Sequence, residues 1–422
     1  MKLQSIAIIG GGHAGDELIG LLREQDFKGD ITLFDASTLG PYERPPLSKG
    51  FLQGDISKDS LSTRSPAFYD RVGVQLRRGV TVELVEVSEQ GVRIIPNQGP
   101  ALEFDAVVVA TGMAPRQLAV PGSTASGIHY LQSLEDAVIL RDALLDAASV
   151  VVLGGGFIGS ESASSINQRG LNVTLIESGS RLMKRAVSEA VSHVFQRQHE
   201  AAGVRLMLNS GLVSVSSEDG RVVGVQTIDG ENIQADLIVA SIGVRPRTEF
   251  LDQTGIVLQN GFVVVDEEGR SSHPRVFAAG DVALFPNPRG VGEPTPIPSV
   301  DNASWSANIV VRGLLGTSVP EKRSAPTFWT KQYGLEVQIA GLIEPRDHSV
   351  IRGNEQGSSF SVMHYFSGKL VAIEAVAAQR DYQAGAKAIS EGYTIPPEVA
   401  VSSDVDLSDL VFSTSQGRRS EG

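Results

Sequence analysis

Two stretches, IAIIGGGHAG (6–15) and VVLGGGFIGSE (151–161), each set Gly-x-Gly-x-x-Gly after a short apolar run and before a helix-forming segment. Gly10, Gly12 and Gly15 recur as Gly154, Gly156 and Gly159, 144 residues later. In such a loop the first glycine turns the chain tightly, the second lets a phosphate reach the backbone, and the third lets helix and strand pack closely. The helix amides then face the anion. An apolar strand follows each helix: ITLFD ends on Asp35, twenty residues after Gly15, and NVTLIE ends on Glu177, eighteen after Gly159. A carboxylate there accepts hydrogen bonds from a ribose. Each repeat therefore reads as a strand–helix–strand unit that grips a dinucleotide. The interval is too long for a solenoid repeat and suits a duplicated domain.

The rest of the chain fits an α/β protein of several domains, since 422 residues exceed what one hydrophobic core usually serves. Three further apolar runs, FDAVVVATG (104–112), ADLIVASIG (235–243) and RVFAAGD (275–281), end in small residues, as buried parallel strands do where a loop meets a ligand. After about residue 320 the pattern changes to alternating strands, LEVQIAGL, SFSVMHYF and KLVAIEAV, followed by a helix near YQAGAKAIS, which predicts a separate α+β domain.

Composition narrows the chemistry. With 36 basic against 49 acidic residues the net charge is −13, which argues against nucleic acid or an anionic membrane as partner. The chain has no cysteine, which excludes disulfides, thiolate metal sites and a dithiol relay. The seven histidines show no metal-ligand spacing, so no metal is expected, and His13 inside the first loop reads as a spacer. The apolar run at the N-terminus is too short for a signal or a span, and a cytoplasmic location is expected.

Two loops in one chain imply a resident dinucleotide and a visiting one, with hydride passing between them. ATG (110–112) and AAGD (278–281), beside both loops, resemble the two-dinucleotide flavoproteins, in which the GD carboxylate, here Asp281, meets the flavin's ribityl chain. GPYERPPLSKGFL (40–52) resembles the RPPLSK signature of the ferredoxin reductases that serve ring-hydroxylating dioxygenases and bacterial cytochromes P450, with putidaredoxin and rubredoxin reductases as relatives. GGGFIGSE (154–161), ATGMAPR (110–116), YLQSLEDA (130–137) and FWTKQYGLEVQIAGL (328–342) extend the resemblance over about residues 1–405.

The resemblance implies a glutathione-reductase-like architecture of two Rossmann-like domains and a C-terminal α+β domain. An FAD-binding domain is expected over 1–112 and 244–319, an NAD-binding domain over 113–243, the C-terminal domain over 320–405 and a tail over 406–422. It implies FAD contacts at Gly10, Gly12, Ala14, Gly15, Asp35, Arg44, Lys49, Val82, Ala110, Thr111, Gly112, Arg116, Asp281, Val300 and Trp329, which aligns with an aromatic beside the flavin, and nicotinamide contacts at Gly154, Gly156, Ile158, Gly159, Glu161, Glu177, Arg185 and Gly243. Lys49 follows two prolines, so its ammonium can steady negative charge on a reduced flavin, and Glu161 is its implied partner. Glu177 favours the free 2′-hydroxyl of NADH, while Arg181, Lys184 and Arg185 keep NADPH as the alternative.

The expected activity is hydride transfer from NADH to FAD, then single-electron transfer to an acidic [2Fe-2S] ferredoxin docking near Trp329, in a monomeric protein. A rubredoxin as acceptor, or a nicotinamide sensor similar to apoptosis-inducing factor, are the alternatives. Four departures from the family pattern stand out. Gln132 replaces an arginine that helps hold the flavin, and PIPSVDNASW (296–305) lacks the usual Arg-x-Glu. Lys331 and Gly334 replace two acids, and Arg245 and Arg247 stand where relatives are neutral. With Arg312, Lys322 and Arg323 these cations are candidates for a patch that steers an acidic partner.

Overall fold

The structure is a computed structural model and describes residues 3–290, 292–318, 323–402 and 405–408. It divides into two compact units: Met1–Glu43 with Lys58–Ala114 and Val244–Arg323, and Arg44–Ser57 with Pro115–Gly243 and Ser324–Gly422. This departs from the expected boundaries in two ways: the C-terminal domain expected over 320–405 falls in one unit with the NAD-binding residues 115–243, and the segment 44–57 joins them. Residues 44–57 pack with the second unit, because Leu52 is buried among Leu140, Ala163, Ile166 and Leu175 of that unit's core. Lys322 and residues 409–422 of the expected tail lie outside the described residues.

In the first unit five parallel strands run in the order Val276–Ala278, Ala106–Val109, Ser5–Ile9, Asp30–Asp35, Val74–Arg78. The chain leaves Ser5–Ile9 through the helix His13–Glu24, which buries Leu18, Ile19 and Leu22 against Ala303, Ala307 and Val310 of the helix Val300–Leu315. Asp16, buried in the first turn of the former, accepts hydrogen bonds from Tyr69 Oη (2.6 Å) and Arg64 Nε (3.1 Å). Burial, reinforced by that carboxylate, pushes the Tyr69 phenol well above its usual range.

The second unit repeats the arrangement with Arg205–Met207, Asn172–Ile176, Ser149–Leu153, Leu237–Ala240 and Ile128–His129, again parallel, and the helix Phe157–Gln168 after the glycine loop. Both glycine loops thus leave the carboxyl end of a central strand where the strand order reverses, which is where open α/β sheets bind ligands. The same unit holds an antiparallel sheet in the order Thr327–Gln332, Leu335–Gly341, Lys369–Val376, Phe360–Phe366, His348–Gly353. One face of it takes Ala384 and Ala388 of the helix Gln379–Glu391. The other buries Val337, Ile339 and Val362 against Val191, Val194 and Phe195 of the helix Glu189–Ala201.

The first hairpin of that sheet turns at Tyr333 (φ 51°) and Gly334 (φ 80°), both left-handed as a two-residue hairpin of type I′ requires. Gly334 therefore has a backbone reason to be glycine, beyond the loss of an acid. Among the described residues no helix is long and apolar enough to cross a membrane.

His199, fully buried on the helix Glu189–Ala201, bonds through Nε2 to Gln332 Oε1 at 2.8 Å, and desolvation lowers its pKa to about 4. The unfolded chain binds this proton below about 6.5 while the folded chain does not, so stability falls as the pH drops from about 6.5 toward 4. The full difference amounts to roughly 3 kcal/mol by linkage. Urea unfolding of His199→Gln and the parent at pH 7 and pH 5 checks this: the parent loses more stability between the two than the variant, and parallel losses would contradict it.

Candidate functional site

The duplicated loops match in atomic detail. A Cβ on Gly10 (φ 113°) would lie 2.3 Å from the carbonyl oxygen of Ala110, and one on Gly154 (φ 92°) 2.4 Å from that of Ser241. A Cβ on Gly15 would stand 2.0 Å from the Gly10 carbonyl, and one on Gly159 1.8 Å from the Gly154 carbonyl. Each loop is therefore pressed against the loop after the neighbouring strand, and no larger residue fits. Gly156 is different: nothing lies within 4 Å of its Cβ position and its φ is −73°, so glycine leaves open space above the helix start rather than relieving a clash. Neither helix has a side-chain cap, Gly12 and Gly156 being the N-caps, so the first amides keep their donors for a ligand. These features fit a bound pyrophosphate at each loop.

In the first unit Asp35 ends its strand beside the loop, its Oδ2 2.3 Å from a Cβ position on Gly11. A Cβ on Gly280 (φ 73°) would lie 3.1 Å from that of Ala14, so the turn carrying Asp281 sits close to the start of the glycine-loop helix. Ala110, Thr111 and Gly112 follow the strand Ala106–Val109, and Thr111 Oγ1 donates to Arg247 O at 2.7 Å. Val82 is buried among Ile9 and Phe34, and Val300 is the first residue of its helix. This unit gathers Gly10, Gly12, Ala14, Gly15, Asp35, Val82, Ala110, Thr111, Gly112, Asp281 and Val300.

In the second unit the Glu177 carboxylate bridges its loop, accepting from Gly155 N (2.6 Å) and Gly179 N (2.5 Å). Arg181 is occupied elsewhere: its guanidinium donates to the carbonyls of Val187 (2.8 Å) and Lys184 (3.1 Å), and burial lowers its pKa. Lys184 and Arg185 remain exposed. Ile158 is 45% exposed in the first helical turn, an apolar side chain offered to a ligand, and Gly243 (φ 103°) accepts through its carbonyl from Arg116 N at 2.9 Å. Arg44 Nη1 donates to the backbone oxygen of Gln132 at 3.3 Å, a contact that any residue at 132 can supply.

Lys49 and Glu161 do pair. Lys49 Nζ lies 2.7 Å from Glu161 Oε2, and the carboxyl group, 2% exposed, also accepts from Ser48 Oγ (2.6 Å, on Oε2) and Thr330 Oγ1 (2.8 Å, on Oε1). Lys49 Nζ also donates to Pro45 O at 3.2 Å, so the prolines fix the ammonium through a carbonyl. The sequence reading missed Ser48 and Thr330. The alternation of FWTKQ carries the signal for the second: Trp329 (39% exposed) and Lys331 point outward, and Thr330 and Gln332 point into the interior.

The expected basic patch is corrected in part. Arg245 is paired with Glu249, Arg312 donates to Asn308 Oδ1 and Ser318 O, and Arg323 is drawn inward. Its guanidinium lies 3.9 Å from the Trp305 ring centroid and donates to Asn302 Oδ1 at 2.8 Å, with burial lowering its pKa to about 10. Among the described residues no cluster of three or more histidine and acidic side chains could hold a metal ion.

Comparison with known proteins places this geometry. Residues 4–307 match the profile described as pyridine nucleotide-disulphide oxidoreductase, and residues 327–411 match that described as reductase C-terminal. The chain is 38% identical to rhodocoxin reductase of Rhodococcus erythropolis, over 96% of its own length and 93% of the relative's. It superposes on the ferredoxin reductase for the CYP199A2 system from Rhodopseudomonas palustris with a TM-score of 0.91 at 34% identity, covering 97% of this chain and 100% of that one. A covalent putidaredoxin reductase–putidaredoxin complex gives a TM-score of 0.92 at 30% identity, covering 98% and 99%. Matched by these two profiles over most of its length and 38% identical to a relative across 96% of it, the chain belongs to the pyridine nucleotide-disulphide oxidoreductase family, in the branch that carries the reductase C-terminal domain.

Proposed function

We propose that the protein is an NADH-dependent ferredoxin reductase of the cytoplasm, with FAD held at the loop of Gly10, Gly12 and Gly15 and NADH at that of Gly154, Gly156 and Gly159. The observation that carries this reading is the Lys49–Glu161 pair: a half-buried ammonium held against a buried carboxylate in the unit of the visiting nucleotide, in a chain with no cysteine to take up electrons. A flavin held by this first loop would supply the chemistry that links a two-electron hydride donor to a one-electron iron–sulfur acceptor. The protein supplies binding, orientation and charge. Asp35 and Asp281 would hold hydroxyls of the nucleotide at the first loop, and the Lys49 ammonium favours negative charge that develops on reduction. Glu177, fixed by two loop amides, accepts from a ribose and repels a 2′-phosphate.

Trp329 and Lys331, outward on one strand, are the surface we assign to an acidic [2Fe-2S] ferredoxin. The ferredoxin reading outranks the rubredoxin alternative because proteins named as ferredoxin reductases match 96–97% of this chain, whereas rubredoxin-NAD(+) reductases, at 34–35% identity, match 88% of it. Anaerobic stopped-flow mixing tests it: NADH bleaches the flavin, and added oxidised ferredoxin restores the colour within the turnover time. A bleached complex that persists with ferredoxin present would overturn the reading.

Two substitutions give sharper outcomes. Lys49→Met retains FAD but slows its reduction by NADH by about 10- to 100-fold, the scale of losing one electrostatic contact to the developing charge. Glu177→Ala narrows the preference for NADH over NADPH by about tenfold, as expected when a like-charge clash is removed. Measured kcat/KM for both coenzymes checks the second, and an unchanged ratio would contradict it.

A further inference from the structure

A line of buried polar side chains runs from the helix Phe157–Gln168 into the C-terminal sheet. Glu161 Oε1 accepts from Thr330 Oγ1 (2.8 Å), Thr330 Oγ1 accepts from Gln332 Nε2 (3.1 Å), and Gln332 Oε1 meets His199 Nε2 (2.8 Å). Thr330, Gln332 and His199 are as fully buried as Glu161. Hydrogen-bond arithmetic fixes the direction of every link. A carboxylate only accepts, so the Thr330 hydroxyl donates to it and takes the Gln332 amide N–H in return. The amide oxygen then faces His199, which, being neutral, donates from Nε2. All donors point toward Glu161.

The other carboxylate oxygen, Oε2, is shared by Ser48 and Lys49. The side chain is thus held from two sides, by the 44–57 segment and by the C-terminal strand. Thr330 is itself held in the sheet: it is paired in register with Val337, and the neighbouring Trp329 and Lys331 pair with Gln338 and Glu336.

We propose that Thr330 is a positioning residue for the Lys49–Glu161 pair: its hydroxyl, aimed by Gln332 and His199, fixes the Glu161 carboxylate so that Oε2 stays turned to Lys49. The C-terminal strand that presents Trp329 on its outer face thereby sets the ammonium through Thr330 on its inner face. This deepens the reductase reading and rests on it. Without the hydroxyl, Oε1 sits in a buried site with one donor gone, the carboxylate turns, and Lys49 loosens.

Thr330→Val keeps the shape and removes the donor, whereas Thr330→Ser keeps the donor. Acetylation footprinting of Lys49, read by mass spectrometry on the FAD-loaded protein without NADH, reports the ammonium directly and needs no turnover. Thr330→Val is expected to label at Lys49 about tenfold faster than the parent, the scale of one lost charge-assisted bond. Its flavin midpoint potential becomes more negative, and its reduction by NADH slows with the NADH dissociation constant unchanged. Thr330→Ser restores all three readouts. Labelling and potential equal to the parent's in Thr330→Val, or the same change in Thr330→Ser, would overturn the proposal. If Thr330→Val does not fold, Gln332→Met, which leaves the hydroxyl unaimed, is expected to shift Lys49 labelling in the same direction, and no shift there would overturn it. A parent protein that NADH fails to reduce would count against the reductase reading, while the Lys49 labelling comparison would still decide the role of Thr330.

Discussion

Both nucleotide loops depend on one constraint, the close approach of each first glycine to a neighbouring carbonyl, Gly10 to Ala110 and Gly154 to Ser241. A side chain at either position would displace the loop after the adjacent strand. From that contact follow the exit angle of the helix, the uncapped amides at its start and the position of the acid that ends the second strand. The two loops meet the constraint almost identically, so the duplication is one of geometry as well as of sequence. Gly156 shows the other use of glycine, in which the absent side chain leaves room for a ligand.

Charge is distributed differently in the two units. In the first, Asp16 is covered by Tyr69 and Arg64, a network that braces the helix behind the loop. In the second, Glu161 and Glu177 are both held by several donors, but one by side chains and the other by backbone amides. A carboxylate held by amides keeps its place whenever the loop keeps its shape. A carboxylate held by Ser48, Lys49 and Thr330 depends on two distant stretches of chain, and so couples the proline-rich segment and the C-terminal sheet to the nucleotide-binding core of the same unit. The buried neutral His199 at the far end of that line is the interior counterpart of this coupling.

Most of the fold was legible because its strongest signals are local. The glycine spacing with flanking strands and acids placed both parallel sheets, and alternation placed the C-terminal strands. The Lys49–Glu161 pair was legible only through the family resemblance, since nothing in a linear sequence joins residues 112 positions apart. What was missed depends on tertiary contacts. The packing of residues 44–57 with the second unit follows from where Leu52 finds its core, and Arg323 reads as a surface cation until Trp305 is seen beneath it. Gly334 was read as a missing charge, whereas its φ of 80° shows a turn requirement. Thr330 was hidden between more conspicuous neighbours, Trp329 and Lys331.

The central claim is that the two matched loops hold different dinucleotides, one resident and one exchanging. The most direct measurement is the binding stoichiometry of the FAD-loaded protein titrated calorimetrically with NAD⁺, alongside Gly156→Val. That variant keeps an allowed backbone and, with nothing within 4 Å of its Cβ, fills only the ligand's space. The account predicts equimolar FAD in both proteins, a single NAD⁺ site in the parent and none in the variant. Loss of FAD together with NAD⁺ in a folded variant, or NAD⁺ binding unchanged by it, would contradict the assignment of the loops.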